Sequence, residues 1–165
     1  MASSGALSGA TLATASMAGT TLTNSGNQFA TLVASNAGSG DIEFVNTGAL
    51  TIAGIANSGG NIDIVNTGGI STTGPITAPS GNVMITANSP LTVGAGGISA
   101  GGDIVLNATN LTSAGDLTLN GPLQAGNMVS LTAASALVQN SAVFGTNGVT
   151  ATAGTSMTYG PFAIT

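Results

Sequence analysis

Residues 40–48, GDIEFVNTG, return almost unchanged as residues 60–68, GNIDIVNTG. Looser copies of the opening begin at residue 81 (GNVMI) and at residue 102 (GDIVL). A further copy begins at residue 126 (GNMVSL) after a longer interval, with its apolar residues moved by one position. A period of about 20 residues, with short apolar alternations between Gly- and Asn-rich turns, is typical of a solenoid. The repeat therefore predicts a stack of coils.

Alternation inside the repeated phrase separates the two faces of a strand. Ile42 and Phe44 fall on one face and Glu43 on the other, because successive side chains of a strand point to opposite sides. We predict a second short strand through residues 50–52 and a third after Gly54. Three strands per coil, each pairing with its equivalent one coil away, describe an all-β parallel β-helix with coils of about 20 residues.

The regularity of the repeat divides the chain into three parts. Residues 40–142 carry the regular β-helix repeats, and residues 1–39 are predicted to form degenerate first coils or an N-terminal cap. Residues 143–165 are predicted to form the last coil or a C-terminal cap. The block from residue 102 to residue 126 is longer than the others, which predicts an enlarged coil or a bulged corner.

Aromatic residues concentrate in the last part of the chain. The favoured interpretation is that these rings close the open end of the core or belong to a truncated last coil, and the alternative is a contact surface for a partner. The residues concerned are Phe144, Tyr159 and Phe162, accompanied by Val143, Val149 and Ile164.

The composition excludes several classes of function. The chain has no Lys, Arg, His or Cys and a formal net charge of −5. Nucleic-acid binding is therefore not expected, since no cation can neutralise phosphate, and neither is docking to anionic membranes. No apolar run is long enough to insert into a membrane. A serine nucleophile would have no conventional base partner. With 42% hydrophobic residues in alternating positions, a packed state is expected rather than disorder.

Acidic residues form the sharpest candidate site. Glu43 and Asp63 occupy the same outward position of successive coils, about 5 Å apart, and Asp41 lies on the same face. The favoured interpretation is a solvated face where water screens the charges. One alternative is a calcium site made by these three residues, because hard cations take oxygen ligands. Another is the acid pair of a polysaccharide-cleaving enzyme. We predict no catalytic residue and no bound cofactor; for the cofactor, calcium at Asp41, Glu43 and Asp63 is the alternative.

Asparagines recur at one corner of the predicted coil. Asn46 and Asn66 share a position in the two clean copies, and Asn88 is the third candidate for the same column. Stacked asparagine amides hydrogen-bond to one another along the axis of a stack of strands. We therefore predict a structural amide ladder at this corner.

The phrase Gly-Asp/Asn-Ile-x-Ile/Leu-x-Asn-Thr-Gly, followed by LTIAG at residues 50–54, resembles the repeats of the filamentous haemagglutinin family. These are large exoproteins of two-partner secretion in Gram-negative bacteria, and related sequences occur in autotransporter passengers. The resemblance covers about residues 40–140. It implies a right-handed β-helix and a secreted or cell-surface location.

Three functions follow from these observations. The first is a non-enzymatic structural rod segment of a secreted cell-surface adhesin, whose partners are host or neighbouring cell surfaces. The second is a self-assembling extracellular filament or biofilm-matrix subunit, in which copies pair end to end through open sheet edges. The third is a polysaccharide-active β-helix enzyme that uses Glu43 or Asp63.

Overall fold

The computed structural model describes residues 5–88, 90–111 and 116–161 and contains strands and turns throughout these ranges. Alternating apolar residues, short turns and abundant Gly and Thr favour strands over helices. In chain order the strands are β1 (Ser8–Ser16), β2 (Thr20–Leu22), β3 (Gln28–Ser39), β4 (Ile42–Asn46), β5 (Leu50–Gly59), β6 (Ile62–Asn66), β7 (Ile70–Thr72), β8 (Ile76–Ala78), β9 (Val83–Ala87), β10 (Leu91–Val93), β11 (Ile98–Ala100), β12 (Ile104–Ala108), β13 (Leu117–Leu119), β14 (Leu123–Ala125), β15 (Met128–Ala133), β16 (Ala136–Gln139), β17 (Val143–Gly145), β18 (Gly148–Ala153) and β19 (Ser156–Tyr159).

The strands stack in parallel along three faces. Face 1 is a 7-stranded sheet of β2, β4, β6, β9, β12, β15 and β18. Face 2 contains β7, β10, β13, β16 and β19, and face 3 contains β8, β11, β14 and β17. Each strand pairs in parallel with its equivalent one coil away, as Ile42 does with Ile62. The predicted parallel β-solenoid, with its coils of about 20 residues, is therefore confirmed, and its right-handedness stays a prediction.

The interior is a continuous column of aliphatic side chains. Ile42 and Phe44 are buried, and Ile62 and Ile64 stack on them one coil later. Burying apolar surface at about 25 cal/mol per Å² is the main stabilising term for such a stack. The alternation predicted from the sequence is confirmed in the following coils by the burial of Ile70, Ile76, Val83, Ile85, Leu91, Val93 and Ile98.

The first coils do not have three separate strands, which corrects the prediction for residues 50–59. β5 runs without a break from Leu50 to Gly59, and its two halves pair with β7 and β8 of the next coil. Gly54 has a φ of +155°, so the chain stays almost extended there, and a bulge in the pairing with β3 absorbs the bend. In the next coil Pro75 precedes β8 and has no N–H to continue a strand.

The enlarged coil has its extra residues at one corner. Residues 109–116 separate β12 from β13, whereas residues 88–90 make the equivalent connection one coil earlier. The described residues therefore place the enlargement between face 1 and face 2, and residues 112–115 of it lie outside them. The shifted apolar pattern of the next copy is also resolved, because Val129 pairs with Ile104.

A column of glycines opens each copy of the repeated phrase. A Cβ on Gly60 would meet the carbonyl oxygen of Gly40, and a Cβ on Gly81 would meet that of Gly60. Gly40 also has a φ of +98°, which L side chains rarely adopt. The coils approach each other so closely at this corner that glycine is the residue that fits.

Candidate functional site

Four of the five acidic side chains line one groove on the outer surface of face 1. The groove has a volume of about 280 Å³, and apolar side chains such as Met84 and Val105 lie among the carboxylates. Register explains the clustering, because Glu43 pairs with Asp63 and Asp63 with Met84. The acidic residues that line it are Asp41, Glu43, Asp63 and Asp103.

Two of these carboxylates hold the coils together. Oδ1 of Asp41 accepts a hydrogen bond from the main-chain N–H of Asn61 at 2.7 Å. Oδ1 of Asp103 accepts from the N–H of Met128 at 3.0 Å and from Nδ2 of Asn127 at 2.6 Å. Ionised acceptors strengthen such bonds. Both side chains therefore have a structural role in the corner between coils.

The same corner forms a ladder that the sequence analysis did not identify. Oδ1 of Asn61 accepts from the N–H of Asn82 at 2.9 Å, and Oδ1 of Asn82 accepts from the N–H of Asp103 at 2.7 Å. With Asp41 below and Asn127 above, the ladder spans successive coils of face 1. The feature of the sequence that could have predicted this ladder is the Asp or Asn that follows the opening glycine of each copy of the phrase.

Glu43 and Asp63 form the electrostatically strained part of the groove. Desolvation by burial raises the pKa of Asp63 above its ordinary value, and the negative charge of Glu43 raises it further. Oδ1 of Asp63 is buried, and no hydrogen-bond donor among the described residues reaches it. Neighbouring like charges on adjacent strands destabilise the ionised form. The predicted pairing of these two side chains is confirmed.

The acidic side chains of the groove are not arranged as a set of ligands around one metal ion. Within residues 5–88, 90–111 and 116–161, no three acidic, His or Cys side chains come together in a group that could hold a metal ion. Asp41 directs Oδ1 at the main chain of the next coil rather than toward a shared centre with Glu43 and Asp63. The three calcium candidates thus share a groove without forming such a group.

The predicted amide ladder is confirmed for two of its three members. Nδ2 of Asn46 donates to Oδ1 of Asn66 at 3.1 Å, and both side chains are buried. The prediction for Asn88 is wrong, because Ala87 pairs with Asn66 and leaves Asn88 exposed just beyond the strand. Ala87 thus holds the equivalent position of the third copy, and Asn88 lies one position too far along the chain.

A second buried amide pair was missed. Nδ2 of Asn36 donates to Oδ1 of Asn57 at 2.8 Å, and both residues are 1% exposed. Nδ2 of Asn57 in turn donates to the carbonyl oxygens of Gly40 and Asn61. The signal lay in two Asn residues one repeat apart, each followed closely by glycine, in a region where the repeated phrase is weak.

The aromatic residues near the C-terminus do not all close the core. Phe144 is the middle residue of β17, so its side chain points outward while Val143 and Gly145 point inward, and it is 43% exposed. Tyr159 follows the inward column above Gln139 but is 50% exposed. The prediction that Phe144 closes the core is therefore wrong. Phe162 and Ile164 lie outside the described residues.

No helix in the described residues is long and apolar enough to cross a membrane. Comparison of the chain with protein-family models, with curated proteins and with solved structures finds no match.

Proposed function

We propose that this chain is a non-enzymatic structural rod segment of a secreted cell-surface adhesin. The observation that carries the proposal is the continuous stack of coils, in which equivalent residues recur in register along three faces. A stack of this kind holds its outer side chains in fixed rows. As a rod segment it would also hold the parts of the adhesin on either side of it at a fixed distance. Its partners would be host or neighbouring cell surfaces.

The use of the carboxylates supports a structural role. Asp41 and Asp103 accept hydrogen bonds between coils, and Asp116 accepts one from the N–H of Ala136 at 3.0 Å. Glu43 and Asp63 are the two acidic residues outside these contacts, and they are the acid pair that a polysaccharide-cleaving enzyme would use. The chain has no Lys, Arg or His to assist them.

The proposal is tested by imaging and binding together. Negative-stain electron microscopy of the purified chain should show short, isolated rods. Fluorescently labelled chain should bind in a saturable manner to intact bacterial or epithelial cells, and unlabelled chain should compete. Compact particles, or binding that does not saturate on either cell type, would contradict the adhesin-rod proposal.

A second candidate is an end-to-end filament, and the last described coil favours it. Met157 and Tyr159 occupy inward positions in register with Leu137 and Gln139. The first two are 37% and 50% exposed, whereas the second two are 1% exposed. One further coil, supplied by another copy, would cover them, because stacked coils join by a head-to-tail contact that can propagate. Long uniform fibres in the same micrographs would favour this candidate over the isolated rod.

A further inference from the structure

Face 3 presents an outward row of side chains that no structural role accounts for. Thr77 pairs with Ser99, Ser99 with Gln124, and Gln124 with Phe144, so the four side chains follow one another on adjacent strands. The spacing along the row is about 4.8 Å per residue. Each is the middle residue of a short strand whose two other residues point into the core.

A shallow groove accompanies this row. One part, about 220 Å³ in volume, is lined by Ser99 and Gln124 together with Gly96 and Pro122. A second part, about 240 Å³, lies beside Pro75 on the preceding coils. Thr77 lines both parts, so the two parts meet at β8. Phe144 lies one strand beyond Gln124, next to the end of the groove.

The side chains of this row carry no charge, and their polar groups are available to a ligand. In the part of the chain that the structure describes, no side-chain hydrogen bond engages Thr77, Ser99 or Gln124, which leaves two hydroxyls and one amide for a ligand. The carboxylates lie elsewhere: four line the groove of face 1, and Asp116 precedes β13 of face 2. Phe144 adds a large apolar ring at the end of the row.

From this arrangement we infer that the row binds a neutral, extended polysaccharide that lies along the stack. Hydroxyls and an amide at regular spacing match the repeated hydroxyls of a glycan, and an exposed ring offers its face to the apolar side of a sugar. An uncharged surface also favours a neutral ligand over an acidic one, since the chain has no cation to pair with acidic sugars.

The surroundings of the row disfavour a peptide. Peptides that add to a sheet run along a free edge strand, and β8, β11 and β14 are each paired on both sides. Among the described strands β17 ends this sheet, so a peptide added there would run across the stack rather than along the row. Peptide side chains would also need deep pockets, and this groove is shallow. The inference rests on the proposed adhesin function, to which it adds the chemical class of the ligand and the face that binds it.

Isothermal titration calorimetry of the full chain tests the inference. The probes are cellohexaose, maltohexaose and xylohexaose, with hexagalacturonate as the acidic comparison. We expect at least one neutral hexasaccharide to bind with a Kd below about 1 mM, and hexagalacturonate not to bind. Phe144→Ala should weaken binding about tenfold and Gln124→Ala about threefold. All of these side chains point outward, so circular dichroism should show unchanged folding.

Two matched variants control for the position of each change. Val65→Ala trims an exposed apolar side chain on face 1, and Thr118→Ala removes an outward polar side chain on face 2; both should leave the Kd within about twofold. Absence of saturation by every neutral hexasaccharide at about 10 mM, or equal binding by Phe144→Ala, would overturn the inference. A Phe144→Ala effect on self-association alone, seen by sedimentation, would also overturn it and assign the row to contacts between copies.

The adhesin proposal can be judged separately in the same samples. If labelled chain binds cells in a saturable manner and none of the hexasaccharides competes, the rod function stands and the glycan site fails. If rods and cell binding are both absent, the proposed function fails whatever the calorimetry gives.

Discussion

Single buried asparagine side chains bridge consecutive coils of this protein. Asn46 is fully buried: its Oδ1 accepts from the N–H of Phe29 at 2.8 Å, and its Nδ2 donates to Oδ1 of Asn66. A buried polar group is tolerated only where its hydrogen bonds are made, so each such residue depends on the coil beside it. The amides therefore fix the register between coils as well as stabilising them.

Replacing Asn46 should be costly. Asn46→Ala leaves the N–H of Phe29 and Oδ1 of Asn66 without these partners and opens a small cavity. We expect the free energy of unfolding to fall by about 3 kcal/mol, measured by urea denaturation. Asn88→Ala is the matched control, because Asn88 is exposed, and it should change stability by less than about 0.5 kcal/mol. Equal effects of the two changes would contradict a structural role for the ladder.

Asp63 should make stability depend on pH. Its folded-state pKa lies above the ordinary value because of burial and the charge of Glu43, so the folded chain holds the proton more tightly than the unfolded chain. Stability contributed by this group is therefore greatest when it is protonated, falls as the pH rises through the interval between the two pKa values, and stays lower above it.

Asp63→Asn removes this dependence. We expect its Tm to exceed that of the parent at pH 7 and to match it at about pH 3, where the aspartic acid is protonated in both states. Glu43→Gln should raise the Tm less, since it removes the second of the two causes. Asp41→Asn is the control on the same face, because an amide oxygen fills the equivalent position at Asn61. A lower Tm for Asp63→Asn at pH 7 would contradict this account.

At this scale the sequence predicts which side chains face the core better than it predicts their partners. Ile42 and Phe44 follow from alternation alone. The place of Asn88 does not, because the spacing between copies is not constant and only the strand pairing reveals the matching position. The large aromatic ring of Phe144 predicts a core position, whereas its place in the middle of a short strand directs it outward.

Among the elements, the corner that opens each coil tolerates the least change. Gly60 lies where a Cβ would meet the carbonyl oxygen of Gly40, and a clash with main chain cannot be relieved by rotating a side chain. The groove of acidic residues begins at this corner, since Asp41 and Asn61 follow these glycines. Glycine thus sets the distance between the coils that carry the groove.

Gly60→Ala should separate the two coils at this corner. We expect a loss of about 2 kcal/mol in the free energy of unfolding, measured by urea denaturation. Gly5→Ala provides the comparison, because a Cβ there would meet nothing within 4 Å. A Gly60→Ala variant as stable as the parent would show that the coils can move apart without cost.

The continuous strand β5 shows that strand boundaries at a glycine are not predictable from the sequence alone. The sequence predicts a break between two strands at Gly54, since glycine often interrupts strands. Its φ of +155° instead keeps the chain almost extended, and pairing with β3 continues on both sides of the bulge. Whether a glycine ends a strand or bends it depends on the neighbouring coil, which a single segment of sequence does not contain.

The whole molecule is modular at the level of one coil. Deletion of residues 61–81 would join Gly60 to Asn82 and bring β9 beside β4, in the register that β6 occupies. Solenoids tolerate the removal of whole repeats because each contacts only its neighbours.

We expect the 61–81 deletion to fold with the circular dichroism of a β-protein and with a rod shorter by about 5 Å in X-ray scattering. Its Tm should be lower, since the coil that carries Asn66 is lost. Deletion of residues 62–71 removes half a coil and should unfold the chain, because the remaining strands can no longer stack in register. Folding of the half-coil deletion would contradict the modular description.

Taken over its length, the period in residues 40–48 and 60–68 predicts the architecture of the chain, because a repeat must bury its apolar face against the next repeat. The row on face 3 could not be predicted in this way. Thr77, Ser99, Gln124 and Phe144 differ in type and lie at unequal offsets, so only their pairing brings them together.

The direction of the hydrogen bonds between coils has a mechanical consequence. Because strands of successive coils pair with one another, these bonds run along the axis of the stack. Tension applied to the two ends would peel one coil at a time, and each coil of about 20 residues would release roughly 70 Å of extended chain. In an optical trap the chain should lengthen in steps of this size rather than in a single rupture. In the proposed role of a rod segment, this stepwise release of coils would dissipate mechanical energy under load.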